Sequence, residues 1–302
     1  MQIRHRADGL EIWAPAKLNL FLEVLGKRSD GFHEIETLMC PIGLYDTLVF
    51  RPRREAAIEL KCRWAAPQTR QHASGSHLVP ENSDNTVVRA LERLRQSTAF
   101  AGGASVSLVK RIPAAAGLAG GSSDAAAALW AANQGWNLGL SMTELKRIAA
   151  EVGSDVPFFL SGGLAVCRGR GERIESLAAQ ISLNFVVVRP PVGLATAQVY
   201  KQCRPADSPR SAGRLVTALE RGCLGLAGKL LHNQLEPAAR KLCSWIARLG
   251  AEFDRLDVLG HQMSGSGTSY FGLCRNWRHA SRVARQLEVR GVGSVYAVRS
   301  CL

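Results

Sequence analysis

The sequence predicts an α+β chain of 302 residues, long enough for two domains. Three observations carry this. Short stretches of alternating apolar residues, closed by turn residues, recur along the whole chain. Between them lie segments with helical apolar spacing and recognisable caps. Two glycine-rich stretches each run directly into a regular element, one into a run of alanines and one into an apolar strand.

Taken in order, residues 10–27, LEIWAPAKLNLFLEVLGK, read as a strand, a bend at Pro15 and a second strand. DTLVFRPR (46–53), AAIELKC (56–62) and ASVSLVKRI (104–112) are further strands. Residues 65–81, AAPQTRQHASGSHLVPE, are polar and irregular and read as a surface loop. NTVVRALERLRQ is a helix with its apolar face at 87, 88, 91 and 94, capped by Asp84 or Asn85. SMTELKRIAAEVG is a helix with a capping box from Ser141 to Glu144 and a stop at Gly153. LAVCRG and NFVVVRP are strands. CRPADSPRSAG is a second loop, after which helices dominate.

Composition excludes several classes. No apolar run approaches the ~20 residues that span a bilayer. The first residues lack an apolar signal core, so a cytoplasmic location is expected. Eight scattered cysteines without a CxxC pair read as reduced, mostly buried thiols. A formal net charge of +13 suits an anionic partner, either nucleic acid or a phosphorylated small molecule. Aromatics do not interleave with the arginine clusters at 51–54 and 168–173, which argues against single-strand binding. There is no GxxxxGK[ST], no HExxH, no GxSxG and no metal-ligand spacing among the histidines. Hydrolase and metalloenzyme chemistry therefore lack support.

The segment IPAAAGLAGGSSDAAAALWAAN (112–133) is the most informative stretch. Glycines permit positive φ and close approach, serine and aspartate favour an N-cap, and the alanines favour helix. Locally this is either a tight turn before a small-residue helix or an anion-binding loop at a helix N-terminus, and the residues alone leave both open. MSGSGTSYFGL (263–273) is a second glycine-rich stretch of the same ambiguity.

In order along the chain, APAKLNLFLEV, GLAGGSSDAAAAL and MSGSGTSYFGL resemble the three motifs of the GHMP kinase superfamily. APAKLNLFLEVLGKRSDGFHEIETLM, DNTVVRA and VGSDVPFFLSGG extend the resemblance toward one branch and across nearly the whole chain. That branch phosphorylates the 2-hydroxyl of a methylerythritol carried on cytidine diphosphate, in the non-mevalonate route to isoprenoid precursors. The resemblance implies a two-domain fold: residues 1–165 like the second domain of ribosomal S5-like proteins, and 166–302 ferredoxin-like. It implies ATP and Mg²⁺ as cofactors, with no magnesium ligand assignable.

Site residues follow from the same resemblance. Asp155 matches the catalytic aspartate, at the start of a short helix that would keep it ionised. Lys17 matches the lysine that orients it and offsets developing charge. Pro113, Ala114, Ala115, Ala116, Gly117, Leu118, Ala119, Gly120, Gly121, Ser122 and Ser123 would wrap the ATP phosphates, with Asn85 and Lys110 on the adenine side. Asn19 would bind the erythritol hydroxyls or hold Lys17. Phe32, His33 and Tyr200 would read the cytidine, and Thr196, Gly265, Ser266 and Gly267 would line the substrate.

Each has a structural alternative: Lys17 a surface lysine on a strand edge, Asp155 an N-cap, His33 a satisfied histidine at a strand end. Phe32 stands where the family has tyrosine, and Gln234 where it has aspartate. Partners are expected to be ATP and a small-molecule substrate, without membrane or nucleic acid, on a monomer or homodimer. The alternatives are a GHMP kinase for mevalonate, homoserine or a sugar, and an RNA-binding S5-like protein.

Overall fold

The computed structural model describes residues 1–65, 79–178 and 181–301. Most of the loop expected at 65–81 lies outside them. The chain forms two compact units interleaved along the sequence: Met1–Ala16, Leu44–Ala114 and Ala119–Gly162 in the first; Lys17–Gly43, Ala115–Leu118 and Gly163–Leu302 in the second.

In the first unit, β1 (Gln2–Arg6) pairs antiparallel with the start of β2 (Gly9–Lys27), Gln2 opposite Trp13 and Arg6 opposite Gly9. The later part of β3 (His33–Arg53), the parallel strand β4 (Ile58–Trp64) and, after helix α1 (Thr86–Thr98), β5 (Gly103–Lys110) complete the order β1-β2-β3-β5-β4. Thr47–Arg53 runs antiparallel to Gly103–Val109, and β4 parallel to β5. Alternation along β5 turns Ala104, Val106, Leu108 and Lys110 to the core, all buried. A lysine thus stands where an apolar residue would be expected.

Helix α1 buries Val87, Val88, Leu91 and Leu94, the face its spacing predicts, and is capped by Asn85 rather than Asp84. Helix α2 (Gly120–Gly135) packs against α1, and its alanines are buried. Helix α3 (Met142–Val152) carries the predicted capping box and ends at Gly153, and α4 (Val156–Ser161) follows.

In the second unit, Ile35–Met39 of β3 pairs antiparallel with β6 (Ala165–Gly169), which pairs with β7 (Arg173–Ser176). Then come β8 (Asn184–Arg189), α5 (Thr196–Gln202), α6 (Gly213–Glu220), α7 (Leu224–Lys229), and β9 (His232–Asn233), parallel to Phe21–Leu22 of β2. Helices α8 (Glu236–Leu242) and α9 (Ser244–Asp254), strands β10 (Gly260–Met263) and β11 (Tyr270–Cys274), helix α10 (Trp277–Val289) and strand β12 (Ser294–Arg299) finish the chain. An antiparallel sheet of order β10-β11-β8-β12 is covered by helices. Val186, Val188 and Tyr270 from the sheet share a core with Ile246, Leu249 and Phe253 of α9 and Val283 and Leu287 of α10. This is the α+β arrangement the sequence predicts.

Three expectations are corrected. Strand β2 continues through Pro15. The proline lies beyond Trp13, where the register of β1 ends, so β1 requires no ladder bond from its missing N–H. Helix α2 has no serine or aspartate cap: Ala119 occupies the cap position with φ 54°, and Ser122, Ser123 and Asp124 lie within the helix itself. The eight cysteines are all free, but only Cys40, Cys167 and Cys274 are buried, and Cys223 is exposed. Among the described residues no helix is long and apolar enough to cross a membrane.

Candidate active site

Within the second unit the strand period decides the first contact. Lys17 and Asn19 are two apart on β2 and therefore share a face. Both are buried, so Lys17 is not a surface lysine on a strand edge. Its Nζ donates to Asn19 Oδ1. Asn19 Nδ2 donates to Thr37 Oγ1 at 2.8 Å, and that hydroxyl donates to the Phe21 carbonyl at 2.6 Å. With every member of this chain buried and partnered, the orientation of the Lys17–Asn19 pair is well determined.

The same pair meets both glycine-rich stretches. Asn19 N–H donates to Ser264 Oγ at 3.3 Å, and Ser264 Oγ donates to the Gly117 carbonyl at 3.1 Å. Lys17 N–H bonds Leu118 O, and Ser269 N–H bonds Ala116 O, each at 3.1 Å. Gly117 has φ +72°, and a Cβ on it would fall on the Ser264 carbonyl oxygen. Its glycine is thus required by the protein's own backbone. Gly265 has φ +56°, and a Cβ there would lie 3.2 Å from both Lys17 Nζ and Asn19 Oδ1. Ser266 Oγ lies 2.8 Å from Thr196 Oγ1.

Asn233, which the sequence reading passed over, holds the second glycine stretch. Its Nδ2 donates to Met263 O and Gly265 O, both at 2.8 Å, and its Oδ1 accepts from Leu235 N–H at 3.0 Å. Gln262 Nε2 also donates to Asn19 O at 2.8 Å. The one signal of Asn233 in the sequence is its place directly before Gln234.

Further along the same unit, the His33 and Tyr200 rings lie 5.0 Å apart at 34°. Burial and the nearby Lys27 charge lower the His33 pKa, favouring neutral imidazole. Phe32 is 48% exposed, and the Arg170 guanidinium sits 4.7 Å from its ring centre. The paired rings are therefore His33 and Tyr200, while Phe32 carries a cation on its face.

Within the first unit, Asp155 stands at the cap position of α4 but makes no side-chain cap bond, so the N-cap alternative does not account for its carboxylate. Asn85 is occupied as the cap of α1, its Oδ1 accepting from Val87 N–H at 2.9 Å and its Nδ2 donating to Pro80 O at 2.6 Å. Thr86 Oγ1 donates to Gly121 O at 3.0 Å, tying α1 to the start of α2. Lys110 Nζ is bound by two buried carboxylates, Asp46 and, at 2.5 Å, Asp124. Burial opposes its charge, but the carboxylates prevail and raise its pKa. Pro113 is buried and Ala114 half-buried. Gly120 would place a Cβ 2.9 Å from Ile112 Cγ2 and 3.2 Å from Lys110 Nζ. Ser123 Oγ is buried without a hydrogen-bond partner. Among the described residues no three His, Cys, Asp or Glu side chains gather to hold a metal ion.

The GHMP kinases N terminal domain model matches residues 85–163, and the GHMP kinases C terminal model matches 215–292. A 4-diphosphocytidyl-2-C-methyl-D-erythritol kinase of Pelotomaculum thermopropionicum is 42% identical over 90% of this chain and 91% of its own. A crystal structure of 4-(cytidine 5'-diphospho)-2C-methyl-D-erythritol kinase superposes with a TM-score of 0.78 at 34% identity, covering 97% of this chain and 99% of that one. A homoserine kinase from Cytophaga hutchinsonii, with a TM-score of 0.75 at 20% identity over 98% of this chain and 96% of its own, shares the fold. The chain belongs to the GHMP kinases and, within them, to the 4-diphosphocytidyl-2-C-methyl-D-erythritol kinase family.

Proposed function

We propose that the chain transfers the γ-phosphoryl group of ATP to the 2-hydroxyl of 4-diphosphocytidyl-2-C-methyl-D-erythritol, giving the 2-phosphate and ADP in the non-mevalonate isoprenoid pathway. The observation that carries this reading is the buried Lys17–Asn19 pair, tied through Ser264 to both glycine-rich stretches. Phosphoryl transfer depends on positioning and charge neutralisation, and a fixed cation beside two backbone loops supplies both.

Asp155 takes the proton of the acceptor hydroxyl. Lys17 offsets the negative charge developing on that oxygen, and Asn19 fixes the direction of its ammonium. ATP supplies the transferred group. The segment from Pro113 to Ser123 faces its phosphates, with the unpartnered Ser123 hydroxyl as one donor and Asn85 toward the adenine. Magnesium would accompany the phosphates, and no protein ligand is assigned to it.

On the acceptor side, Phe32 and Tyr200 offer stacking faces. Neutral His33 offers one donor and one acceptor to the cytosine edge. Thr196, Gly265, Ser266 and Gly267 lie along the remainder of the substrate. The arginine clusters do not require a nucleic-acid partner. Arg51 pairs with Asp8, Arg53 with Glu55 and Glu59, Arg168 with Glu36 and Glu175, and Arg173 with Glu34, so much of the basic charge is met locally.

The test is ADP formation by the purified chain offered the cytidyl substrate, mevalonate and homoserine in parallel. Turnover with the cytidyl substrate alone is expected. Equal or greater turnover with either of the others would overturn the substrate assignment.

A further inference from the structure

The buried charges around Lys110 have no direct part in the reading above. Lys110 ends β5 on its core-facing side, and the register that sets Thr47 opposite Val109 brings Asp46 opposite Lys110. Asp46 is fully buried and has two tasks. One oxygen binds Lys110 Nζ. The other accepts the backbone N–H groups of Arg111 and Ile112, the latter at 2.9 Å, where β5 gives way to the glycine-rich segment. Lys110 in turn reaches Asp124, the fifth residue of α2. Three buried side chains therefore link the strand before the segment to the helix after it.

The arrangement is costly for packing alone. Two buried carboxyl groups share one ammonium, and Asp124 Oδ1 is buried with no hydrogen-bond partner. A buried ion cluster of this kind is weak evidence for stability, and apolar residues of similar volume often serve better. What ions with fixed hydrogen bonds supply is orientation. Gly120 has room only for hydrogen against Ile112 and Lys110, so the start of α2 lies directly on the cluster.

We propose that Asp46 is a positioning residue for the nucleotide, setting through Lys110 and the Arg111–Ile112 backbone where the phosphate-facing segment begins and where α2 starts. Lys110 then acts as the internal tie rather than as a ligand of adenine. The inference rests on the reading that residues 113–123 face ATP phosphates.

The experiment compares wild type, Asp46→Asn and Asp46→Glu by calorimetric ATP titration, steady-state kinetics in both substrates and thermal melting. Asp46→Asn keeps the shape and an acceptor for the two amides but turns an N–H₂ toward the Lys110 ammonium. Its KM for ATP should rise about tenfold or more, as the loss of a phosphate contact would cause, with the acceptor KM within about twofold. Asp46→Glu keeps the charge but moves the oxygen from the amides, and should lie between the two. A folded Asp46→Asn with wild-type ATP affinity and KM would overturn the proposal while leaving the kinase reading intact. If that variant does not fold, wild-type ATP affinity in Asp46→Glu overturns it equally. A wild-type protein that binds no ATP would remove the kinase reading and this inference together.

Discussion

Replacing Asn233 with alanine removes the side chain that fastens the second glycine-rich stretch. Asn233 is 7% exposed and makes three hydrogen bonds: from Nδ2 to Met263 O and Gly265 O, and to Oδ1 from Leu235 N–H. At a net value of about 1 kcal/mol each, their loss amounts to about 3 kcal/mol. For a chain of this size that lowers the melting temperature by about 6–12 °C, at about 2–4 °C per kcal/mol. Gly265 packs against Lys17 and Asn19, so the damage should extend to turnover as well. Circular-dichroism melting and steady-state kinetics on one preparation measure both effects. Asn233→Asp is the matched control. It retains the acceptor for Leu235 but sets an anion against two carbonyl oxygens, and should be at least as harmful. If either variant melted within about 2 °C of wild type, the fastening role would be refuted, because even one such bond is worth about that much.

Three further outcomes are expected. Asp155→Asn should bind ATP like wild type by calorimetry yet lose about 10²–10⁴-fold in turnover, and retention of most of the turnover would remove its role as base. Burial, with the Asp46 carboxylate beside it, pushes Asp124 up to about 8 against the pull of Lys110. The folded chain therefore holds a proton there that the unfolded chain releases from about pH 4, so this group's contribution to stability declines as pH rises from about 4 through 8. Asp124→Asn should flatten that decline in urea midpoints at pH 5, 7 and 9, and parallel slopes in the two proteins would contradict it. His33→Ala should reduce kcat/KM for the cytidyl substrate about tenfold or more and narrow its preference over a uridyl analogue, through hydrogen bonds worth about 1–3 kcal/mol. An unchanged cytidyl-to-uridyl ratio would assign His33 to packing against Tyr200.

Much of the fold was legible because local signals and tertiary packing agree. The apolar face of α1, the capping box of α3 and the alternation of β5 each reappear in the structure. The strands that escaped notice lack the period that reveals a strand. All five residues of β1 are exposed, so no apolar alternation marks it. From Thr37 to Ile42 every residue of β3 is buried, so both faces are covered and the sequence there reads as a short apolar run interrupted by Pro41. The ion cluster was hidden for a different reason. Asp46 lies 64 residues from Lys110, and only strand pairing makes them neighbours. In the sequence Lys110 stands beside a phosphate motif and Asp124 among good N-cap residues, so each suggests a local role, and neither shows the long-range contact that joins them to Asp46.

The glycines show how far such local readings reach. Gly117 and Gly120 suggested close approach to a ligand, yet the atoms a Cβ would meet are Ser264 O in one case and Ile112 and Lys110 in the other. Loss of ATP binding in a Gly120→Val variant would therefore leave the ligand role undecided, since valine strikes Ile112 whether or not phosphate is present. The departures from the family pattern separate by the same test. Gln234, in place of the usual aspartate, accepts from Val24 N–H at 2.6 Å and donates to Arg204 O at 2.9 Å. A carboxylate could make only the first of these bonds. The substitution thus adds a tie to the segment before α6 and belongs to the scaffold. Phe32 is exposed, and its ring contact is with Arg170, a mobile type of partner that a planar base could displace. Under the proposed cytidine-reading role, the exposed Phe32 ring keeps a stacking face beside His33, and the change from tyrosine removes only a hydroxyl.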